Sequence, residues 1–252
     1  MINIIVNGIC GKMGRVVNSI IDAAPDMCVT AGIDIQPLAP GLPFPVYTDI
    51  SECEQAADCI IDFSVATVAD YVVDYAVNRR IPLVMCTTGL SEATERRIID
   101  ASERTAVLRS ANMSLGINTL ARVLPIISEA LAGAGFDIEI VEKHHSQKID
   151  SPSGTAYLLA DALNTDGGYE YVFDRSKKRE RRGEAEIGIH AVRGGTIVGE
   201  HSVLFCGRDE VIEISHSAAS KEVFAVGAVR AARYLSGKPA GLYSMEDVIL
   251  ET

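Results

Sequence analysis

The stretch INIIVNGICGKMGRVVNSII, residues 2–21, decides the fold. Its first part, Ile2 to Val6, is an apolar and β-branched run typical of a strand that is buried on both faces. Gly8, Gly11 and Gly14 follow directly, and apolar residues then recur at helical spacing until Pro25. A strand, a glycine turn and a helix in this order predict the start of a dinucleotide-binding domain.

The glycine spacing alone is a weak signal, because it follows GxxGxxG and not the common GxGxxG. Such a turn could also hold a phosphate or a mononucleotide, or serve only tight packing. A second apolar run, Met27 to Ile33, ends at Asp34, about 20 residues after the last glycine. An acidic side chain at that distance binds the ribose hydroxyls of a dinucleotide, although Asp34 also fits an ordinary strand end.

Apolar strands then alternate with helices through the first half of the chain. The predicted strands are 59–64, 82–86 and 106–108, and the predicted helices are 65–78 and 91–104. This alternation predicts an α/β domain, a Rossmann-like doubly wound parallel sheet. Ligands of such sheets lie beyond the carboxyl ends of the strands, which form one rim. The candidate cofactor contacts on the glycine turn and this rim are Gly8, Ile9, Cys10, Gly11, Lys12, Met13, Gly14, Arg15, Asp34, Phe63, Cys86, Thr87, Thr88, Ser110, Ala111, Asn112 and Met113.

The pattern changes after about residue 112. A long helix follows, which Pro125 should kink or split, and strands then predominate at 137–143, 184–192, 196–205 and 210–216. The turns 193–195 and 206–209 have the composition of hairpins. We therefore predict an α+β domain with a mostly antiparallel or mixed sheet at 112–221. The dinucleotide-binding domain is expected at 1–111, with 222–252 returning to it.

The segment EKHHSQKIDSPSGT, residues 142–155, has the composition of an active site. Within a strand His144 and His145 would point to opposite faces, so both can line one pocket only if the strand ends there. Solvated histidines in a surface loop are the alternative, which this clustering of acid-base groups disfavours.

The end of the same segment predicts a helix start. Ser153, Gly154 and Thr155 would present free N–H groups there, which together with the helix dipole bind a carboxylate or phosphate. Lys148 would add a full positive charge. The alternative is a plain serine cap on a surface helix.

Composition excludes several classes of protein. The formal net charge of −11 over 252 residues disfavours a nucleic-acid partner. The one basic run, 177–182, is expected to be a solvated loop, with a phosphate or partner patch as the alternative. Six cysteines without a CxxC pair fit reduced thiols better than disulfides or a metal site. No membrane-spanning run or signal peptide is evident, so we expect a cytoplasmic protein.

Motifs along nearly the whole chain occur in the order found in one enzyme family. They are Gly8-x-x-Gly11-Lys-Met-Gly14-Arg15, Asp62-Phe63-Ser64, Thr87-Thr88-Gly89, Ala111 to Asn118, His144 to Thr155, His190 to Gly195 and Val198 to His201. In these motifs the chain resembles the 4-hydroxy-tetrahydrodipicolinate reductase family, long called dihydrodipicolinate reductase. The string HHxxKxDxPSGT is specific to that family, whereas the glycine motif is not.

The resemblance implies a function and a set of roles. The family reduces 4-hydroxy-tetrahydrodipicolinate to tetrahydrodipicolinate with NADH or NADPH, in the diaminopimelate pathway of lysine biosynthesis, and is usually a homotetramer assembled through the second domain's sheet. The resemblance also implies that His144 donates or accepts a proton and that Lys148 is a second proton donor. His145, Gly154 and Thr155 are implied as substrate contacts. The elementary chemistry agrees, because a histidine titrates near working pH and a helix start at Ser153 would bind a carboxylate.

The chain departs from the family pattern on the cofactor side. Cys86 replaces a glycine and is expected to crowd the nicotinamide, and Val65 replaces an arginine that would contact phosphate. Ile35 follows Asp34 where a basic residue would accommodate a 2′-phosphate, which favours NADH. Two basic residues of the glycine turn could still reach that phosphate, so we expect both cofactors to be used.

Two other functions are compatible with parts of the sequence. A nucleotide-sensing regulator would share the first domain but would not need paired acid-base groups. Another two-domain NAD(P)-dependent dehydrogenase would share the first domain as well, but the combined histidine, lysine and Ser-Gly-Thr string is not expected in it.

Overall fold

The computed structural model describes residues 1–36, 41–173 and 175–251. The chain divides into two compact units, one formed by 1–115 with 222–252 and the other by 116–221. Within the described residues, no helix combines the length and the apolar character needed to cross a membrane.

Twelve strands and seven α-helices make up the described part of the chain. The strands are β1 (Ile2–Asn7), β2 (Met27–Ile33), β3 (Val46–Tyr47), β4 (Cys59–Asp62), β5 (Leu83–Met85), β6 (Ala106–Arg109), β7 (Asp137–His144), β8 (Glu170–Val172), β9 (Glu186–Arg193), β10 (Gly199–Cys206), β11 (Val211–Ala218) and β12 (Gly241–Tyr243). The helices are α1 (Lys12–Asp22), α2 (Ala69–Arg79), α3 (Glu92–Ser102), α4 (Leu115–Ala130), α5 (Gly154–Leu163), α6 (Glu222–Leu235) and α7 (Met245–Leu250).

The first unit is built on a parallel sheet in the order β12-β6-β5-β4-β1-β2-β3. The interior strand β1 is buried on both faces, because Ile4 and Val6 pack in one apolar cluster with α1 and α6 while Ile5 packs in another with α2 and α3. Apolar side chains on both faces of a strand require helices on both sides of the sheet. The predicted doubly wound sheet is therefore confirmed.

The strand register brings the candidate rim to one edge. Asn7 lies level with Ile33 of β2 and Asp62 of β4, Asp62 lies level with Met85, and Met85 lies level with Arg109. The residues after these five positions therefore all follow carboxyl ends of neighbouring strands. This is the edge where ligands of doubly wound sheets bind.

The second unit is a five-stranded mixed sheet in the order β11-β10-β7-β9-β8, with α4 and α5 against one face. The turn 206–209 joins an antiparallel pair, as predicted. The prediction of a hairpin at 193–195 was wrong, because β7 lies between β9 and β10 and pairs with both. β7 alternates buried and half-buried residues along its whole length, so it fits a central position.

Two further expectations are changed by the structure. Pro125 lies inside a single helix, α4, and does not split it. The basic run 177–182 is not fully solvated, because the Arg182 guanidinium binds the carboxylates of Asp137 and Glu139 at 2.8 and 3.0 Å.

Candidate active site

The glycine turn after β1 is closely packed against its neighbours. Gly8 has a φ of +82°, and a Cβ there would lie 2.5 Å from the carbonyl oxygen of Phe63. A Cβ on Gly14 would lie 2.1 Å from the carbonyl oxygen of Gly8. Only glycine fits at these two positions, and the result is a turn that lets a ligand approach the backbone.

Asp34 lies beside this turn. Its carboxylate accepts hydrogen bonds from the N–H groups of Cys10 at 2.8 Å and Gln36 at 3.0 Å. A cavity of about 210 Å³ adjoins it, and Asp34 is the only charged group among the described residues that line the cavity. Segment 37–40, which lies outside the described residues, contains no charged side chain in the sequence.

The start of α1 suits a phosphate. Its N-cap is Gly11, and no side chain caps the first turn. Uncapped N–H groups and the helix dipole favour an anion at this point. With the tight turn and Asp34 alongside, the residues present fit a dinucleotide.

A buried carboxylate holds the middle of the rim together. Asp62 is fully buried, and burial raises its pKa. It accepts hydrogen bonds from Asn7 Nδ2 at 2.7 Å, from the hydroxyl of Ser64 at 2.6 Å and from the hydroxyl of Thr87 at 2.7 Å. The side chain of Arg109 donates to the Thr87 carbonyl at 2.9 Å. These contacts tie the carboxyl ends of β1, β4 and β5 into one edge.

The candidate cofactor residues divide by burial. The side chains or backbone of Ile9, Gly14, Cys86, Thr87, Asn112 and Met113 are buried, Gly8, Cys10, Met13, Asp34, Phe63 and Ser110 are half-buried, and Gly11, Lys12, Arg15, Thr88 and Ala111 are exposed. Burial of Cys86 disfavours the expectation that its side chain crowds the nicotinamide. Its thiol belongs to the apolar cluster under the sheet, and burial raises its pKa well above the ordinary value.

In the second unit, the alternation along β7 places a carboxylate on the core face. Glu142 shares that face with Ile138 and Ile140, and it is fully buried. Its carboxylate accepts two hydrogen bonds from the Arg193 guanidinium at 2.7 and 2.8 Å and one from the Ser153 N–H at 2.9 Å. Although burial raises its pKa, the bonds from these groups and from His144 hold the pKa of Glu142 below its ordinary value.

His144 is the last residue of β7, and the strand ends before His145, as the sequence required. The Nδ1 atom of His144 lies 2.6 Å from Glu142 Oε2. Burial lowers the pKa of His144, while Glu142 acts in the opposite direction. A Cβ on Gly199 would lie 3.1 Å from the Nε2 atom, so the glycine leaves space there.

Ser153 caps α5 and is engaged by the protein itself. Its hydroxyl accepts a hydrogen bond from the Ala156 N–H at 3.2 Å and lies 3.0 Å from His201 Nε2. Because its N–H donates to Glu142, the expected free N–H at Ser153 is absent, and the N–H groups of Ala156 and Tyr157 bond back to Ser153. Burial lowers the pKa of His201 to about 4.

Two further groups of the segment face the same strand end. The Lys148 ammonium lies 2.8 Å from Asp150, and this contact lowers the pKa of Asp150. The Nδ1 atom of His145 is buried and has no partner among the described residues. Both groups are therefore suited to an anionic ligand. Lys148 could bind the ligand in place of Asp150, and the unpaired Nδ1 atom of His145 could form a hydrogen bond with it.

The glycine turn at 193–195 fastens this loop. The Gly194 N–H donates to the His144 carbonyl at 2.9 Å, and the Ser146 N–H donates to the Gly195 carbonyl at 3.2 Å. Sequence reasoning assigned this turn to a hairpin and gave no role to Glu142, Arg193 or His201. The one available signal was that the alternation from Ile138 puts the carboxylate of residue 142 on a core face.

Comparisons with known proteins agree with this geometry. Residues 2–113 match the family described as dihydrodipicolinate reductase, N-terminus, and residues 116–249 match dihydrodipicolinate reductase, C-terminus. The chain is 50% identical over 251 residues to the 4-hydroxy-tetrahydrodipicolinate reductase of Caldanaerobacter subterraneus subsp. tengcongensis, covering 99% of this chain and 98% of that one. It is 43% identical over 253 residues to the reductase of the same name from Clostridium novyi, with the same coverage.

A solved structure shows the same fold. The dipicolinate-bound dihydrodipicolinate reductase from Paenisporosarcina sp. TG-14 matches with a TM-score of 0.81 at 21% sequence identity. The match covers 98% of this chain and 99% of the other. The α/β and mixed-sheet fold class is thereby confirmed.

Proposed function

The chain belongs to the dihydrodipicolinate reductase family, and we propose that it reduces 4-hydroxy-tetrahydrodipicolinate to tetrahydrodipicolinate with His144 and Lys148 as its acid-base groups. The reaction is the NAD(P)H-dependent step of lysine biosynthesis through diaminopimelate. The observation that carries the proposal is the His144 imidazole, bonded to a buried carboxylate and beside a helix start and a lysine.

The balance of the reaction defines what the side chains do. The substrate's hydroxyl is replaced by hydrogen, which takes one hydride and one proton and releases water. A bound NAD(P)H supplies the hydride. The Nε2 atom of His144 holds the proton that is exchanged with the substrate, because Nδ1 is occupied by Glu142. Lys148 is the second proton donor.

The substrate's two carboxylates require cations or N–H donors. The start of α5 at Gly154 and Thr155 suits one of them through the helix dipole and the Gly154 N–H, as in other anion sites at helix N-termini. Lys148 leaves Asp150 to bind a carboxylate, and His145 contributes its buried Nδ1. Ser153 acts on the substrate through the helix that it caps.

The dinucleotide is held by the first unit. The uncapped start of α1 would bind the pyrophosphate. The Asp34 carboxylate would accept hydrogen bonds from the ribose hydroxyls, through the lone pairs that the N–H groups of Cys10 and Gln36 leave free. Gly8 and Gly14 keep the turn close enough to the ligand. The other candidate residues on the rim would contact the dinucleotide, and those with buried side chains would do so through their backbone N–H and C=O groups.

We also propose a homotetramer in the cytoplasm. The face of the second sheet that α4 and α5 leave open carries half-exposed apolar residues, among them Val141, Val192 and Leu204. An assembly of four chains through these faces would remove them from water.

Transfer of isotope from the cofactor tests the reaction. With NADH that carries deuterium at the transferred position, the tetrahydrodipicolinate product should contain a single deuterium in mass spectrometry. Unlabelled product would show that its hydrogen does not come from the cofactor. Absence of product, in protein that binds NADH, would favour a sensor.

A further inference from the structure

Glu142 is the buried group in direct contact with the proposed acid-base residue His144, and no role of its own has been assigned to it above. It is fully enclosed and ionised, and it makes its shortest contact, 2.6 Å, with the Nδ1 atom of His144. Three donors from three different segments converge on this one carboxylate: Arg193 from β9, the Ser153 N–H from the start of α5, and His144 from β7.

The charges determine which atom carries the proton. The bidentate Arg193 contact favours the ionised form of Glu142, and an ionised carboxylate can only accept hydrogen bonds. The Nδ1 atom of His144 must therefore be the donor, and neutral His144 has its hydrogen on Nδ1. Its Nε2 atom is then free to take up or give the reacting proton.

We propose that Glu142 is the positioning residue of this site, fixing the orientation and tautomer of His144, and that Arg193 keeps Glu142 charged for that task. This inference rests on the proposed role of His144. The groups that face His144 are Glu142 on its own strand, Arg193 on β9, His201 on β10 at 5.1 Å between ring centroids, and Lys148 in the loop. Glu142 is the only negatively charged group among these four, so removing its charge changes the pKa of His144 in a definite direction.

The Glu142→Gln variant keeps the shape and removes the charge. Its amide oxygen can still accept from Arg193 and Ser153, and its amide NH₂ then faces Nδ1 of His144. The neutral imidazole would take the hydrogen on Nε2, which is the wrong tautomer for proton uptake at that atom. We expect kcat to fall about 100-fold with little change in the substrate KM.

The pH dependence gives a second readout. Glu142 favours protonated His144, so its neutralisation lowers the pKa of His144 further. The alkaline limb of the kcat profile, where the proton donor is lost, should move to lower pH in Glu142→Gln. A purely structural role for Glu142 would not move this limb.

The chain contains a matched control on the same strand. Glu139 also binds a histidine, His190, at 2.7 Å, and an arginine, Arg182, at 3.0 Å, on the opposite face of the sheet. Glu139→Gln removes a charge from a similar but more exposed pair, and it should leave kcat and the pH profile unchanged. Equal losses in both variants would overturn the proposal.

A measurement on the wild-type protein keeps the test independent of folding and of activity. The chain has five histidines, so ¹⁵N-histidine labelling with long-range ¹H–¹⁵N correlation resolves each tautomer, and His144→Gln assigns the signal. The Nδ1–H form at His144 supports the proposal, and the Nε2–H form overturns it. If the tautomer is as expected but no reductase activity exists, the proposed function fails while the role of Glu142 toward His144 stands.

Discussion

At the scale of single residues, His144 carries the proposed chemistry. We expect His144→Gln to lower kcat about 100-fold or more and to change the substrate KM little, because the proton is needed only during the reaction. Steady-state kinetics checks this. His190→Gln is the matched control, since His190 binds a carboxylate on the other face of the sheet. An unchanged kcat in His144→Gln would remove His144 from the chemistry.

Asp34 is the residue that should set cofactor preference. The cavity beside it has no described cation, and a 2′-phosphate would meet its negative charge. We expect tighter binding of NADH than of NADPH, and a loss of about tenfold in NADH affinity in Asp34→Ala, as a hydrogen bond to a charged group is removed. Fluorescence titration of the reduced nicotinamide measures both without substrate. The exposed Asp22→Ala is the control, and an unaltered NADH affinity in Asp34→Ala would contradict the assignment.

The candidate residues differed in how far they could be predicted from the sequence. The glycine turn and the 142–155 segment are local patterns, and their positions followed from strand ends and a helix start. Glu142, Arg193 and His201 come from three strands that are neighbours only because β7 lies between β9 and β10. Local sequence does not show which strands pair. The wrong prediction of a hairpin at 193–195 paired β9 with β10, and the contact between Arg193 and Glu142 was therefore missed.

At the scale of elements, the N-cap of α5 links stability to substrate binding. Ser153→Ala removes the cap and the contact with His201, and we expect it to lower the free energy of unfolding by about 1–2 kcal/mol. It should also raise the substrate KM, because we propose that the start of this helix binds a carboxylate of the substrate. Thermal denaturation and initial rates measure the two effects.

A second helix provides the control for this cap. Ser91 caps α3 in the first unit by the same bond, from the Thr94 N–H at 3.1 Å. Ser91→Ala should cost a similar amount of stability and leave the substrate KM unchanged. If both variants raised KM equally, the effect of Ser153 would be a consequence of stability alone.

Elements were predictable where a pattern is periodic. Strands buried on both faces predicted the parallel sheet of the first unit, and four of the five strands of the second unit were predicted, whereas the short β8 was missed. The order of strands in the second sheet was not predictable, because pairing depends on which apolar faces meet and not on which strands are consecutive. Of the two effects expected of Pro125, a split is absent, because the residue lies inside a single helix.

At the scale of the whole molecule, the open face of the second sheet should hold the assembly together. Leu204 lies in β10 level with Glu139 and Glu213, so a lysine there is tolerated by the single chain. We expect light scattering to give four times the chain mass for the wild type and a smaller mass for Leu204→Lys. Ile99→Lys, on the exposed face of α3, is the control. A Leu204→Lys protein of unchanged mass would place the interface elsewhere.

The central claim is that this chain is a reductase acting on a cyclic dicarboxylate, and one measurement tests it most directly. The substrate 4-hydroxy-tetrahydrodipicolinate is generated in the cuvette from pyruvate and aspartate semialdehyde, and oxidation of NADH and of NADPH is followed separately by absorbance. Substrate-dependent oxidation, with the larger kcat/KM for NADH, is the expected result. Absence of oxidation with either cofactor, from folded protein that still binds the dinucleotide, would contradict the claim.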